Sequence, residues 1–155
     1  MTLTADAVYP VTATDDHPVA VAGTLDELKA ILHAELASSG YSLTAPEVLT
    51  ALKKAVRFYA AHATLEVQRR QAEGSTTAIP IDSSLTLDLY EWAIIQPLAR
   101  AYCDLQQAYR MEAAGSLGME RYGMQVSEAL QNAVQIEMTI PKAAFIEAPF
   151  SIELE

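Results

Sequence analysis

The chain has 155 residues, 51% of them hydrophobic and 19% charged, with a single cysteine and a formal net charge of −10 from twenty acidic and ten basic residues. A chain of this length fits one domain that buries about 70% of its unfolded surface, and the apolar share excludes a disordered polyelectrolyte. The acidity excludes a surface that wraps a phosphate backbone or lies on an anionic membrane, and one cysteine, Cys103, excludes an internal disulfide and predicts an intracellular folding environment.

The first 23 residues, MTLTADAVYPVTATDDHPVAVAG, mix Thr, Asp, Pro and Val without helical period, and Pro10 and Pro18 hold their neighbours extended. They predict an N-terminal arm over residues 1–23, either frayed or laid as a strand on a neighbouring subunit through Val8, Tyr9, Val11, Val19 and Val21. No basic segment followed by an apolar run opens the chain, and no stretch has the length to cross a bilayer, so neither secretion nor membrane insertion is expected.

Residues 24–155 are expected to form a single helical domain with an extended C-terminal tail. Thr24-Leu-Asp-Glu27 is a capping box, in which the threonine hydroxyl and the glutamate carboxylate satisfy each other's backbone amides. Leu25, Leu28, Ile31, Leu32 and Leu36 then predict one apolar helix face, and Gly40 suits the left-handed residue beyond its end. Thr44-Ala-Pro-Glu47 repeats the box, with Pro46 tolerated in the first turn, and Val48, Leu52, Ala55, Tyr59 and Ala63 follow at helical spacing. The short Tyr41-Ser42-Leu43 link predicts a helical hairpin.

Residues 74–84 break the period, and Thr77 to Ile81 reads equally as a short edge strand or a loop. A third helix is expected from Thr86, with Ile94, Leu98, Ala101, Tyr102, Leu105 and Tyr109 on one face and Gln96, Arg100, Asp104 and Gln107 on the other. Pro97 within it predicts a kink or two helices meeting near Gln96, because proline removes a hydrogen bond and clashes with the preceding turn. Gly115, Gly118 and Gly123 cut the chain into brief segments. Val126 to Glu137 predicts a last helix with Ser127 as its cap, stopped by Pro141, and Ala144 to Glu155 alternates enough for one or two short strands. The fold class is therefore mainly α: a helical hairpin, a long Pro-kinked helix and a C-terminal helix, with short β segments and extended termini.

Catalytic patterns are absent from this reading. Ala114-Gly-Ser-Leu-Gly118 departs from a nucleophile elbow at its first glycine and follows a helix instead of a strand, so Ser116 is expected to be a turn serine. Asp15-Asp16-His17 does not make an enclosed ligand set, His62 and Glu66 lack the further carboxylates of a di-iron bundle, and His33 and His62 read as ordinary helix residues. Phosphate-binding glycine motifs are missing. No enzyme activity, metal or cofactor is expected.

What remains points to assembly. Lys53, Lys54, Arg57, Arg69 and Arg70 are half of the ten basic residues, whereas the chain beyond Met111 is rich in glutamate. These are either two solvated faces or a head-to-tail contact between copies. Trp92, Tyr102, Tyr109, Met111, Met119, Tyr122 and Met124, with Phe145 and Phe150 in the tail, form either core or a subunit interface, since aromatic and sulfur side chains serve both.

Two capped N-terminal helices, then Trp92-Ala-Ile-Ile-Gln-Pro97, Met111-Glu-Ala-Ala-Gly-Ser-Leu-Gly118, Glu120-Arg-Tyr-Gly123, Val126-Ser-Glu128 and Pro141-Lys-Ala-Ala-Phe145 resemble the small head-to-tail connector, or neck, proteins of tailed bacteriophages. The likeness covers roughly residues 24–150 and leaves the arm outside. It implies a helical virion subunit, made in the host cytoplasm, in a homo-oligomeric ring of about twelve copies at the head-tail junction. Its partners would be the portal protein, tail or neck proteins and passing DNA bound without sequence specificity, with no membrane contact and no active site. An acidic ring would let DNA slide without sticking. The alternative from the residues alone is a soluble cytoplasmic helical binding module, an acidic regulator that covers a basic surface.

Overall fold

The computed structural model describes residues 20–71, 75–118 and 123–144. Along them run β1 (Val21–Thr24), α1 (Leu25–Ser38), α2 (Ala45–Ala60), the single turn α3 (Glu66–Arg69), β2 (Thr86–Asp88), α4 (Leu89–Gly115) and α5 (Val126–Ala144). The fold is mainly helical with one two-stranded antiparallel sheet, as the periodicity predicts. The anticipated arm before residue 20, the Asp15-Asp16-His17 cluster, Met119, Tyr122, and the tail strands with Phe145 and Phe150 lie outside the described residues.

The Thr24 box closes in both directions, and the Thr44 box through the Glu47 carboxylate. Thr24 N–H donates to Glu27 Oε2 at 2.8 Å and Glu27 N–H to Thr24 Oγ1 at 3.3 Å; Thr44 N–H donates to Glu47 Oε2 at 2.7 Å. The end of α1 turns on Gly40 at φ 86°, where Tyr41 N–H reaches Leu36 O and Gly40 N–H reaches Ala37 O, both at 3.1 Å. That pairing closes the last turn and sends the chain back into α2. Leu25, Leu28, Leu32 and Leu36 are buried, but Ile31, expected beside them, is 61% exposed. Val48, Leu52, Ala55 and Tyr59 of α2 are buried as expected, while Ala63 falls beyond the helix end.

The helix expected from Thr86 begins three residues later. Thr86–Asp88 is instead the strand β2, which pairs with β1 in the register Val21↔Asp88, Gly23↔Leu87 and Thr24↔Thr86. Val21, read as part of an arm either frayed or laid on a neighbouring subunit, pairs within its own chain, and the boundary drawn after residue 23 falls inside β1. Asp88 then caps α4 in a third box: Glu91 N–H donates to Asp88 Oδ1 at 2.6 Å, and Asp88 N–H to Glu91 Oε2 at 3.0 Å. Residues 75–81 are loop and not strand, although Ile79 and Ile81 pack against the core.

Neither internal proline ends its helix. The 27-residue α4 runs through Pro97, and the 19-residue α5 through Pro141. Pro97 and Ala93, whose carbonyl loses its partner, are both exposed, so water can satisfy that oxygen. Buried Ile95, Leu98 and Ala99 hold the opposite side. Ser127 lies inside α5 instead of capping it, and α4 runs on through Met111 to Gly115.

α4 is the central element, antiparallel to α2 and α5 and flanked by the α1–α2 hairpin. Its polar face is half-exposed and meets the α1–α2 hairpin. Asp104 accepts from Tyr41 Oη at 2.6 Å, Gln107 accepts from Ser42 N–H at 3.1 Å, and Arg100 pairs with Glu35 at 2.5 Å. Arg110 bonds both Ser42 O and Glu47. The polar residues of α4 are thus the fastening of the hairpin, and the core of Leu, Ile, Val and Ala side chains sits beneath them.

Candidate subunit interface

The residues singled out for assembly separate into groups. Tyr102 is buried, with its hydroxyl donated to Glu137 of α5 at 2.5 Å and the Lys54 ammonium 3.9 Å from its ring centroid. One basic residue of α2 is therefore linked to one acid of α5 through a tyrosine of α4, so part of the charge asymmetry is spent within the chain. Burial and the Glu137 carboxylate raise the Tyr102 phenol well above its ordinary range.

Lys53 is half-buried near Asp82, while Arg57, Arg69 and Arg70 are exposed. Arg70 pairs with Glu66 at 3.1 Å on the turn α3. Trp92 is half-buried against the core at the other end of α4 from Met111 and Tyr109. Tyr109 is 52% exposed.

Met111 and Met124 are brought together. Both line an open groove of about 420 Å³ where the last turns of α4 meet the start of α5, with Glu112 and Val126 beside them. A second groove of about 410 Å³ adjoins it under Tyr41, Asp104 and Gln107. Burial first, then the hydrogen bond to Asp104, pushes the Tyr41 phenol up to about 12.

The described residues that were weighed for chemistry take structural roles. Ser116 caps α4 and donates to Ala113 O at 2.6 Å, the turn role its glycine neighbours predict. His33 and His62 bond the backbone oxygens of Leu43 and Phe58 at 3.1 and 2.9 Å. Among the described residues no three His, Cys, Asp or Glu side chains group as metal ligands, and no helix is long and apolar enough to cross a membrane. Cys103 is fully buried in α4, and burial pushes its thiol up to about 12. It is expected to resist a thiol-reactive disulfide reagent in the folded protein and to react stoichiometrically once urea unfolds the chain; rapid reaction of the native protein would contradict this burial.

The feature that the sequence reading passed over lies on α5. Ala129, Ala133 and Ile140 face the core, yet Leu130, Val134 and Met138 are 46%, 44% and 68% exposed. Their i, i+4, i+8 spacing makes one stripe along about two turns of helix. A helix apolar on two sides carries that signal in its letters, because one stripe suffices for a helix that only covers its own core.

Set against known proteins, the chain matches no family model, no curated protein and no solved structure.

Proposed function

We propose that the protein is a structural virion subunit, a ring-forming head-to-tail connector of about twelve copies that joins the portal to the tail and forms part of the DNA conduit. The observation that carries this reading is the second apolar side of α5. Ala129, Ala133 and Ile140 face the core, while Leu130, Val134 and Met138 keep 46%, 44% and 68% of their surface exposed, and burying that remainder against another chain would gain about 25 cal/mol per Å² of apolar surface. The resemblance to connector proteins supplies the kind of assembly. A net charge of −10 suits a conduit, where an acidic wall repels phosphate and DNA passes without adhering.

The polar fastening of α4 to the α1–α2 hairpin supports the same role, since a ring that transmits load between head and tail needs a subunit that does not deform. Electron microscopy of purified particles carrying a tagged copy is expected to place the tag at the head-tail junction, and native mass measurement to give a ring. A stable monomer or dimer that never joins particles would overturn the reading in favour of an acidic binding module.

A further inference from the structure

We infer that the residues following α5 dock on their own subunit: Phe150-Ser-Ile-Glu-Leu154 lies extended over the exposed apolar patch where the β1–β2 strand pair meets α4, with Phe150, Ile152 and Leu154 against Val21, Leu89 and Tyr90. The contact is made within one chain and holds whether or not copies assemble.

The patch is built by the strand pair. Val21, Leu89 and Tyr90 are 53%, 54% and 50% exposed. Val21 stands opposite Asp88 in the ladder, and Leu89 N–H donates to Ala20 O at 3.0 Å, so Val21 and Leu89 adjoin and Tyr90 follows in the first turn of α4. A shallow groove of about 80 Å³, lined by Val21, Val67, Thr86 and Leu87, continues the patch toward α3. Three large apolar side chains half in water beside an open strand pair are a surface that gains by being covered.

The path of the chain selects the occupant. Tyr90 donates its hydroxyl to Ala143 O at 3.1 Å, so α5 ends against a residue of the patch itself. Residues 145–149 span up to about 17 Å when extended, enough to carry Phe150 from the end of α5 past Tyr90 to the strands. A segment tethered at so short a range meets its site at an effective concentration of about millimolar, which favours it over the same segment of a second copy at micromolar protein.

Pattern agrees with position. From Phe150 to Leu154 the alternation is strict, so an extended segment turns three large apolar side chains to one side and Ser151 and Glu153 to the other. Residues 1–19 also adjoin the patch in sequence, through Ala20, but Pro10 interrupts their apolar run Val8, Tyr9 and Val11, and they would have to reverse direction to return over β1. Charge permits the contact, because at this end of the subunit Glu66, Asp88 and buried Glu91 are matched by Arg69, Arg70 and Lys142.

The test uses the full-length chain, in which buried Cys103 does not compete. Val21→Cys is expected to react with a maleimide about tenfold more slowly than Ile31→Cys, a control at a position 61% exposed on α1, although the two sites are similarly open in the folded core. Adding Ile152→Asp is expected to bring Val21→Cys up to the control rate, and Val21→Cys combined with Ile152→Cys to oxidise to a disulfide-linked monomer. A disulfide-linked dimer would put the segment on a second copy and overturn the proposal. Equal labelling of Val21→Cys with and without Ile152→Asp would overturn it too, and so would release of the thiol by Val11→Asp instead, which would assign the patch to residues 1–19.

Discussion

Glu91→Ala is expected to lower the unfolding free energy by about 2–3 kcal/mol, measured as a shifted urea midpoint at unchanged slope, the larger of the single-residue losses anticipated for a polar side chain here. Glu91 is 2% exposed, the one buried charged residue among those described. Its two oxygens are divided between two elements: Oε2 accepts from Asp88 N–H at 3.0 Å at the start of α4, and Oε1 from Glu66 N–H at 2.6 Å at the start of α3. Alanine leaves both amides without an acceptor and releases the turn α3 from the bundle. Glu91→Gln keeps one acceptor oxygen but turns an NH₂ toward the other amide, so its expected loss is about half as large. Equal stability of wild type and both variants would show that water takes over these amides without cost.

The same residue sets a pH dependence whose sign runs opposite to that of most carboxylates. Desolvation is the largest influence on Glu91 and holds its carboxyl above the ordinary range, with Asp88 and Glu66 adding to the rise and the two backbone amides opposing it. A native value above the unfolded one means that its contribution is fully present below the unfolded pKa, about 4.3, and is lost as pH rises through the native value. The stability difference between wild type and Glu91→Gln should therefore be widest in acid and narrow toward neutrality. A difference that is flat with pH would contradict the dominance of desolvation.

Local grammar was legible in the sequence, and competition between local grammar and packing was not. The boxes at Thr24 and Thr44 close through hydrogen bonds within four residues, so the letters suffice. Asp88-Leu-Tyr-Glu91 is the same grammar and went unread, because the apolar period appeared to start earlier and masked the strand Thr86–Asp88. Ile31 lies six residues after Leu25, about 240° round the helix, outside a core stripe that Leu25, Leu28, Leu32 and Leu36 already fill. The polar line Arg100, Asp104 and Gln107 reads as a solvent face until the hairpin loop that it fastens is placed beside it. For the candidate interface the letters give membership of a set and not its partition. Tyr102 and Tyr109 differ by one buried hydroxyl bond to Glu137, which depends on α5 folding back along α4. The stripe on α5 is visible as apolar residues, but only the packing of Ala129, Ala133 and Ile140 shows which side is left over.

Pro97→Ala is expected to stabilise the chain by about 1–2 kcal/mol. An interior proline costs about 3 kcal/mol relative to alanine, while its restriction of the unfolded chain returns up to about 1 kcal/mol. Pro97 is exposed in the middle of a helix that continues for eighteen residues beyond it, to Gly115. Its ring contributes nothing to the core formed by Ile95, Leu98 and Ala99, so alanine removes a steric clash and restores a donor to the Ala93 carbonyl without opening a cavity. Pro141→Ala should gain less, because Pro141 is half-buried and borders the α5 stripe. Urea unfolding of the two variants checks the order. A loss of stability for Pro97→Ala would mean that the axis of α4 is set by the proline, and that Ile95 and Leu98 meet their neighbours only along that altered axis; the proline would then be part of how the bundle is packed instead of a defect that the bundle overrides.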